Sequence, residues 1–243
     1  MDWFRSSFGS DYPKIYQHRN ESEAKNFIRS LKKVVTITPQ SKILDLCCGC
    51  GRYSIALAEQ GYSVVGFDLS WDLLQCAVNE VKNRGFRIPF IRGDMRYLTF
   101  HEEFDVVLNM FTSFGYFSSD NDNLKTLNDI HRILKTKGWL VIDYINSNNV
   151  KNNFRPYDEI HNNGYRIIQE RRVDHNLNLI IKKIVIKENG DERTYCEKVK
   201  LYTKQDFMSM MKHTGFSVVQ YAGNYDLEEY KPDSPRLIVI GEK

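Results

Sequence analysis

The sequence predicts an α/β protein in which a parallel sheet, layered by helices, is interrupted late in the chain by an antiparallel β insertion. Three observations carry this. Between Lys42 and Ile145, short apolar runs alternate with segments of helical period. After Asn146 the helical segments stop, and extended runs follow one another across turn signals. At Thr203 the helical period returns, and two last apolar strands follow.

The elements follow in order. "DYPKIYQHR" and "ESEAKNFIRSLKKVV" read as helices, the second with Ala24, Phe27, Ile28 and Leu31 on one face. Residues 1–40 are therefore expected as an N-terminal helical lid. "KILDL" is a strand and "RYSIALAEQG" a helix closed by Gly61. "YSVVGFD" is the second strand, and Ser70 caps the helix "WDLLQCAVNEVKNRG". "RIPFIRG" and "FDVVLNMF" are strands, "NLKTLNDIHRILKTKG" a helix, and "WLVIDYI" the fifth strand. Regular rotation of strand and helix calls for a parallel sheet with helices on both faces. "YRIIQERRV", "NLIIKKIVIKE" and "ERTYCEKVKLY", separated by "DHNLN" and "ENGD", form a meander over residues 158–202. Residues 41–157 and 203–243 then make up the main domain, which ends with the helix "TKQDFMSMMKHTG" and the strands "FSVVQYA" and "RLIVIGE".

Composition narrows the function classes. The chain has 243 residues, 42% hydrophobic and 27% charged, enough for a sizeable core without disulfide support. Five cysteines, three of them nearly adjacent, do not suit a secreted disulfide framework. The start, "MDWFRSSFGSDYPK", has no apolar signal core, and no apolar run approaches a membrane span. A soluble, cytoplasmic protein without a membrane partner is expected. A net charge of +3 is too mild to argue for nucleic acid. Arg171, Arg172, Lys182 and Lys183 make one stretch more basic, but Glu170, Asp174 and Glu188 are interleaved, as on solvated strand faces.

The chemistry concentrates in "KILDLCCGCGRYS". Cys47 and Cys50 form a C-x-x-C between strand and helix, where a redox pair or metal ligands could sit. Zinc would need a fuller ligand set, and Cys76 and Cys196 do not supply a second pair. The glycines carry more. Gly49 and Gly51 stand where the first strand turns into the first helix, a place where backbone passes close to a ligand. One strand later, "GFDLS" ends the strand with Asp68, a carboxylate able to accept both hydroxyls of a ribose. One strand further, "RGDMR" puts Asp94 and Met95 just past the strand. A nicotinamide-binding domain shares the first two features, but its third glycine position is Ser54 here, and a second nucleotide-binding half is missing.

In these residues the sequence resembles the class I S-adenosylmethionine-dependent methyltransferases, from about Tyr12 to the C-terminus. "ILDLCCGCG" matches the glycine loop, "GFDLS" the ribose acid with Leu69 beside it, "GDMR" the adenine contact, and "FDVVLNMFTSFGYF" the segment after the fourth strand. A Tyr-x-x-x-Tyr-x-x-Arg at Tyr12, Tyr16 and Arg19 is most similar to the sugar amine N-methyltransferase group. The family's first loop glycine is Cys47 here.

The resemblance implies a Rossmann-like seven-stranded methyltransferase sheet and S-adenosyl-L-methionine (SAM) as cofactor, with no metal. It implies that Asp68 holds the ribose, and that Asp94 and Met95 hold the adenine. Gly49 and Gly51 let backbone reach the methionine part, and Arg19 pairs with its carboxylate. Asn109, Met110 and Phe111 lie beside the sulfonium, and Asp45 holds the loop or the amino group. Tyr16 is the best-placed polar candidate for catalysis, with His131 and His18 as further bases. "NMFT" is not the N-P-P-Y of base-modifying enzymes, and "MFTSFGYF" offers aromatic walls for a compact acceptor. The expected reaction is methyl transfer to a small molecule, an amine or a hydroxyl, by a chain compatible with a homodimer. The alternatives are an RNA or protein methyltransferase that docks on the β insertion, and a SAM-binding regulator without turnover.

Overall fold

The computed structural model describes residues 2–17, 19–162 and 164–243. Its main sheet has seven strands: β1 (Lys42–Leu46), β2 (Ser63–Asp68), β3 (Phe90–Arg92), β4 (Phe104–Asn109), β5 (Leu134–Ile145), β10 (Ser217–Ala222) and β11 (Arg236–Glu242), in the order β10-β11-β5-β4-β1-β2-β3. All pairings are parallel except those of β11, which runs antiparallel to both neighbours. From β1 the chain builds outward one way through β2 and β3, then returns to β4 on the other side. The crevice beyond the carboxyl ends of β1 and β4 is thus the topological switch point.

The strands are apolar on both faces because both are covered. On one face Leu44, Phe104, Val107 and Leu140 pack with Leu127 and Ile130 of α5 (Asp120–Ile133) and Phe207 of α7 (Lys204–His213). On the other, Ile43, Val106 and Val141 pack with Phe27 and Ile28 of α2 (Glu21–Leu31) and Ala56 of α3 (Arg52–Ala58). The helix α4 (Trp71–Asn83) begins at Ser70, whose hydroxyl accepts from the Leu73 N–H as the sequence leads one to expect. Two boundaries differ from the sequence reading. "LKTKG" belongs to β5 rather than to the preceding helix, because Leu134 already pairs with Phe104 across the sheet. The front helix is a single turn, α1 (Tyr12–Ile15).

A second sheet of four antiparallel strands, β6 (Tyr157–Asn162), β7 (Tyr165–Asp174), β8 (Leu179–Glu188) and β9 (Asp191–Lys200), follows the short helix α6 (Ser147–Asn152). Its register settles the basic stretch. Arg171 pairs with Lys182 while Arg172 and Lys183 occupy the alternate positions, so the four split between the two faces. Arg171 and Lys182 belong to the face turned toward α1, and this corrects their reading as solvated surface charge.

Residues 2–17 run as a strap across both sheets. Ser70 Oγ donates to the Phe8 carbonyl at 2.5 Å and Trp3 Nε1 to that of Tyr116 at 3.3 Å. Toward the second sheet, Ser7 Oγ donates to the Cys196 carbonyl at 2.7 Å, Arg193 meets Asp11 at 2.6 Å, and Lys14 meets Glu188 at 2.8 Å. Among the described residues no helix is long and apolar enough to cross a membrane.

Candidate active site

Three joined cavities open at the switch point, and Tyr12 of the strap borders all of them. The first lies over β2 and β3, between Asp68, Leu69, Asp94, Met95 and the rings of Phe8 and Tyr116. The next lies over the glycine loop, with Tyr16, Arg19, Asp45, Cys47, Gly49, Met110 and Phe111 around it. A third lies under the second sheet, where Tyr16 and Phe111 face Lys182 and Glu197. The expected site residues therefore gather around the first two cavities, apart from Gly51 and Asn109.

The glycine loop is shaped by left-handed backbone. Cys47, Gly49 and Gly51 have φ of 63°, 55° and 78°. A cysteine in that region costs about 1–2 kcal/mol. The Cys47 and Cys48 N–H groups hold the turn by donating to the Phe67 carbonyl at 2.7 and 3.1 Å, and the Cys47 thiol donates to Met95 Sδ at 3.5 Å. A Cβ on Gly49 would meet only a Leu73 methyl at 3.9 Å, so space there is open to a ligand. Gly51 is different: a Cβ would press on Ala77 and the Phe90 ring at 3.2 Å, so this glycine serves packing and the start of α3.

The acids do local work as well. Asp68 accepts from the Gly49 N–H and the Ser70 N–H, each at 2.8 Å, while burial pushes its carboxyl up. Asp45 accepts from the Ser54 N–H at 2.9 Å and the Ser54 hydroxyl at 2.6 Å, and burial pushes it up to about 6. Asp94 accepts from Arg96 at 2.7 Å and from Arg5 at 3.4 Å, and these cations hold its carboxyl below the usual range against the opposing pull of burial. Asn109 lies beneath the loop, its amide donating to the Leu46 carbonyl at 3.2 Å. Arg19 stacks its guanidinium 4.0 Å over the Phe111 ring and donates to Glu23 and Tyr225 at 2.9 and 3.1 Å.

Phe111 and Thr112 also take left-handed backbone, at φ 56° and 58°. Asp143, wholly buried near the carboxyl end of β5, holds them. Its carboxylate accepts from the Phe111 N–H at 2.9 Å, the Tyr225 hydroxyl at 2.7 Å and Arg236 at 2.7 Å, and Arg236 in turn donates to the Thr112 hydroxyl at 2.7 Å. Sequence reasoning missed this cluster. The visible signal is an acid inside the apolar run "WLVIDYI", where both faces of the strand are covered.

In the third cavity the Tyr16 hydroxyl donates to both Glu197 oxygens at 2.8 Å and accepts from Lys182 Nζ at 2.8 Å. Burial, and then the Glu197 carboxylate, hold the Tyr16 phenol well above its ordinary range, so it keeps its proton. His131 packs edge-on against Phe216, away from the cavities, and His18 lies outside the described residues.

Comparison with known proteins fits this arrangement. A family model described as a methyltransferase domain matches residues 43–138, from β1 into β5. The Bacillus subtilis (strain 168) protein YqeM is 26% identical over 97% of this chain and 96% of its own length. A glycine/sarcosine N-methyltransferase from Parasynechococcus marenigrum is 34% identical over 53% of this chain, which spans 45% of that enzyme. The fold is shared with a crystal structure of a SAM-dependent methyltransferase from Clostridium acetobutylicum, at a TM-score of 0.84 and 16% identity over 96% of this chain and 95% of that one. The domain match, the sheet order and the cavities at the switch point agree, and over residues 43–138 the chain is similar to methyltransferases, on a fold shared with a SAM-dependent one.

Proposed function

We propose that this enzyme methylates a small-molecule amine, with SAM in the first two cavities and the acceptor in the third. The residues present fit the cofactor. Arg19 Nε is buried without a hydrogen-bond partner among the described residues and borders the cavity over the glycine loop, so it can donate to a carboxylate. Asp68 and Asp94 border the neighbouring cavity, where they would take the ribose hydroxyls and the adenine amine, with Met95 and Leu69 against the ring. Bound SAM supplies an electrophilic methyl on a sulfonium. The chain supplies position: holding acceptor and methyl in line is worth about 7–11 kcal/mol.

One observation carries the assignment. The third cavity joins the second through Tyr16 and Phe111; Trp3, Tyr116, Ile180 and Val199 wall one part of it, and Arg171, Lys182, Glu197 and Arg236 are its charged members. An amine acceptor is favoured by the carboxylate inside it, Glu197, and accords with the N-methyltransferase named among the relatives. The Tyr12, Tyr16 and Arg19 motif supports an acceptor of the sugar amine kind. In this reading the lid expected over residues 1–40 narrows to residues 2–17, which close the cavities from the strap side, because α2 packs in the core of the main domain. The test is a screen of metabolite extracts with methyl-labelled SAM, read by mass spectrometry. Label in a low-molecular-weight amine is the expected result, whereas label entering only RNA or protein would overturn it.

A further inference from the structure

The inner face of the second sheet divides into an apolar half and a charged half. Ile167, Ile184 and Ile186 pack with Ile15 of α1, and on the same face of β8, two residues before Ile184, stands Lys182. The register sets Lys182 between Arg171 on β7 and Glu197 on β9. All three border the third cavity. Charged side chains in this setting are costly unless paired.

The acids of this region differ in how firmly a cation holds them. Asp158 meets Arg171 at 2.8 Å, and Asp143 meets Arg236 at 2.7 Å. Glu197 has its ion pair with Lys182 at 3.8 Å, and the Tyr16 hydroxyl bridges the two. Glu197, the carboxylate that borders the cavity, is therefore held less closely by a cation than Asp158 or Asp143 nearby and keeps more Coulomb attraction for an incoming one. The rings of Tyr12, Tyr16 and Tyr116 around the same cavity add aromatic faces, which also favour an ammonium.

We propose that Glu197 binds the ammonium form of the methyl acceptor and takes its proton. This deepens the amine reading given above and rests on it. One ammonium N–H bond breaks and its proton passes to a Glu197 oxygen. The freed nitrogen lone pair forms the bond to the methyl carbon, and the carbon–sulfur pair stays on sulfur, leaving a neutral thioether. Charge balances: an ammonium, a sulfonium and a carboxylate become an N-methylammonium, a thioether and a carboxylic acid. Tyr16, which keeps its own proton, orients Glu197 rather than acting as the base. The titratable groups around Glu197 are Lys182 from β8, Tyr12 of α1 and Tyr16 just after it, and Tyr116 from the segment after β4, with Arg171 from β7 and Asp158 from β6 behind Lys182 and Arg236 of β11, held by Asp143, on the same cavity. Burial pushes the Lys182 ammonium down from its ordinary value.

The test compares the full chain with Glu197→Gln, which keeps shape and hydrogen bonding but not the charge. SAM affinity, read by calorimetry, should stay within about twofold. In protein labelled with ¹³C at glutamate carboxyls, methylammonium chloride should shift one signal that is absent from Glu197→Gln, and sodium chloride should not. Transfer of labelled methyl into the amine fraction of a metabolite extract should fall about 100-fold near pH 7, then recover about tenfold per pH unit as free amine accumulates. Wild-type transfer with an unchanged pH profile in Glu197→Gln would overturn the proposal. A loss of SAM affinity together with transfer would also do so, since it would mark a structural role. If wild type methylates no amine, the amine reading fails, and the methylammonium shift still decides whether Glu197 holds a cation.

Discussion

The proposed cofactor half and the proposed acceptor half of this site are built in opposite ways. Around the glycine loop, position comes from backbone: three left-handed residues, two N–H groups on the Asp68 carboxylate, and the strand ends at Leu46, Asp68 and Arg92, which follow one another closely in the chain. Under the second sheet, position comes from long side chains, Arg171, Lys182 and Glu197, carried on three strands and locked by a tyrosine from the far end of the chain. Backbone geometry fixes a constant ligand and tolerates changes of side chain. Side-chain geometry is easily retuned, which would suit a half that chooses an acceptor.

Four changes test that division, beginning with the largest. Asp143→Ala should damage both halves, because Asp143 supports the Phe111–Thr112 turn they share and its loss leaves Arg236 buried and unpaired. We expect a loss of about 3–5 kcal/mol in folding stability, read by urea unfolding. Asp68→Ala should affect the cofactor half alone. SAM binding should weaken by roughly 2–3 kcal/mol, some tens- to a hundred-fold by calorimetry, and Asp94→Ala should cost less. Unchanged SAM affinity in Asp68→Ala would break the comparison at its firmer end.

Asp45→Asn gives a pH signature. The Asp45 carboxyl is pushed up to about 6 by burial, so the folded state binds its proton more tightly than the unfolded chain, whose value is about 3.9. Stability of wild type relative to Asp45→Asn should therefore fall as pH rises from about 4 to 6, by on the order of 3 kcal/mol, and stay level above that. Denaturant titrations at several pH values read the slope. Smallest is Cys47→Gly. Relief of left-handed strain opposes the greater freedom of glycine in the unfolded chain, and the net change should stay within about 1 kcal/mol. A severe loss of SAM binding in that variant would show that the thiol matters beyond the turn.

The same division explains what could be read from the sequence. "KILDLCCGCG", "GFDLS" and "RGDMR" each put a turn or an acid at the end of one strand, so local pattern and strand order were enough to bring Gly49, Asp68 and Asp94 to one crevice. The meeting of Lys182 and Glu197 depends on antiparallel register, and periodicity alone does not supply it. A trace was present. On one face of β8, Lys182 interrupts Ile180, Ile184 and Ile186, a charge where the alternation asks for an apolar side chain. Gly51 has a second use that the motif does not display, packing close against Ala77 and the Phe90 ring.

The strap has a kinetic consequence. It is fastened to the main sheet by rings and two hydrogen bonds, but to the second sheet largely by the ion pairs Asp11–Arg193 and Lys14–Glu188. The lysine and arginine of these pairs are about a third exposed, at 36% and 34%, and so within reach of screening by salt. Dissolved electrolyte should therefore act as a throttle, loosening one end of the strap while the apolar end keeps it in register. Spent and fresh nucleosides would then exchange faster in brine than in dilute buffer, with the melting temperature of the enzyme hardly moved.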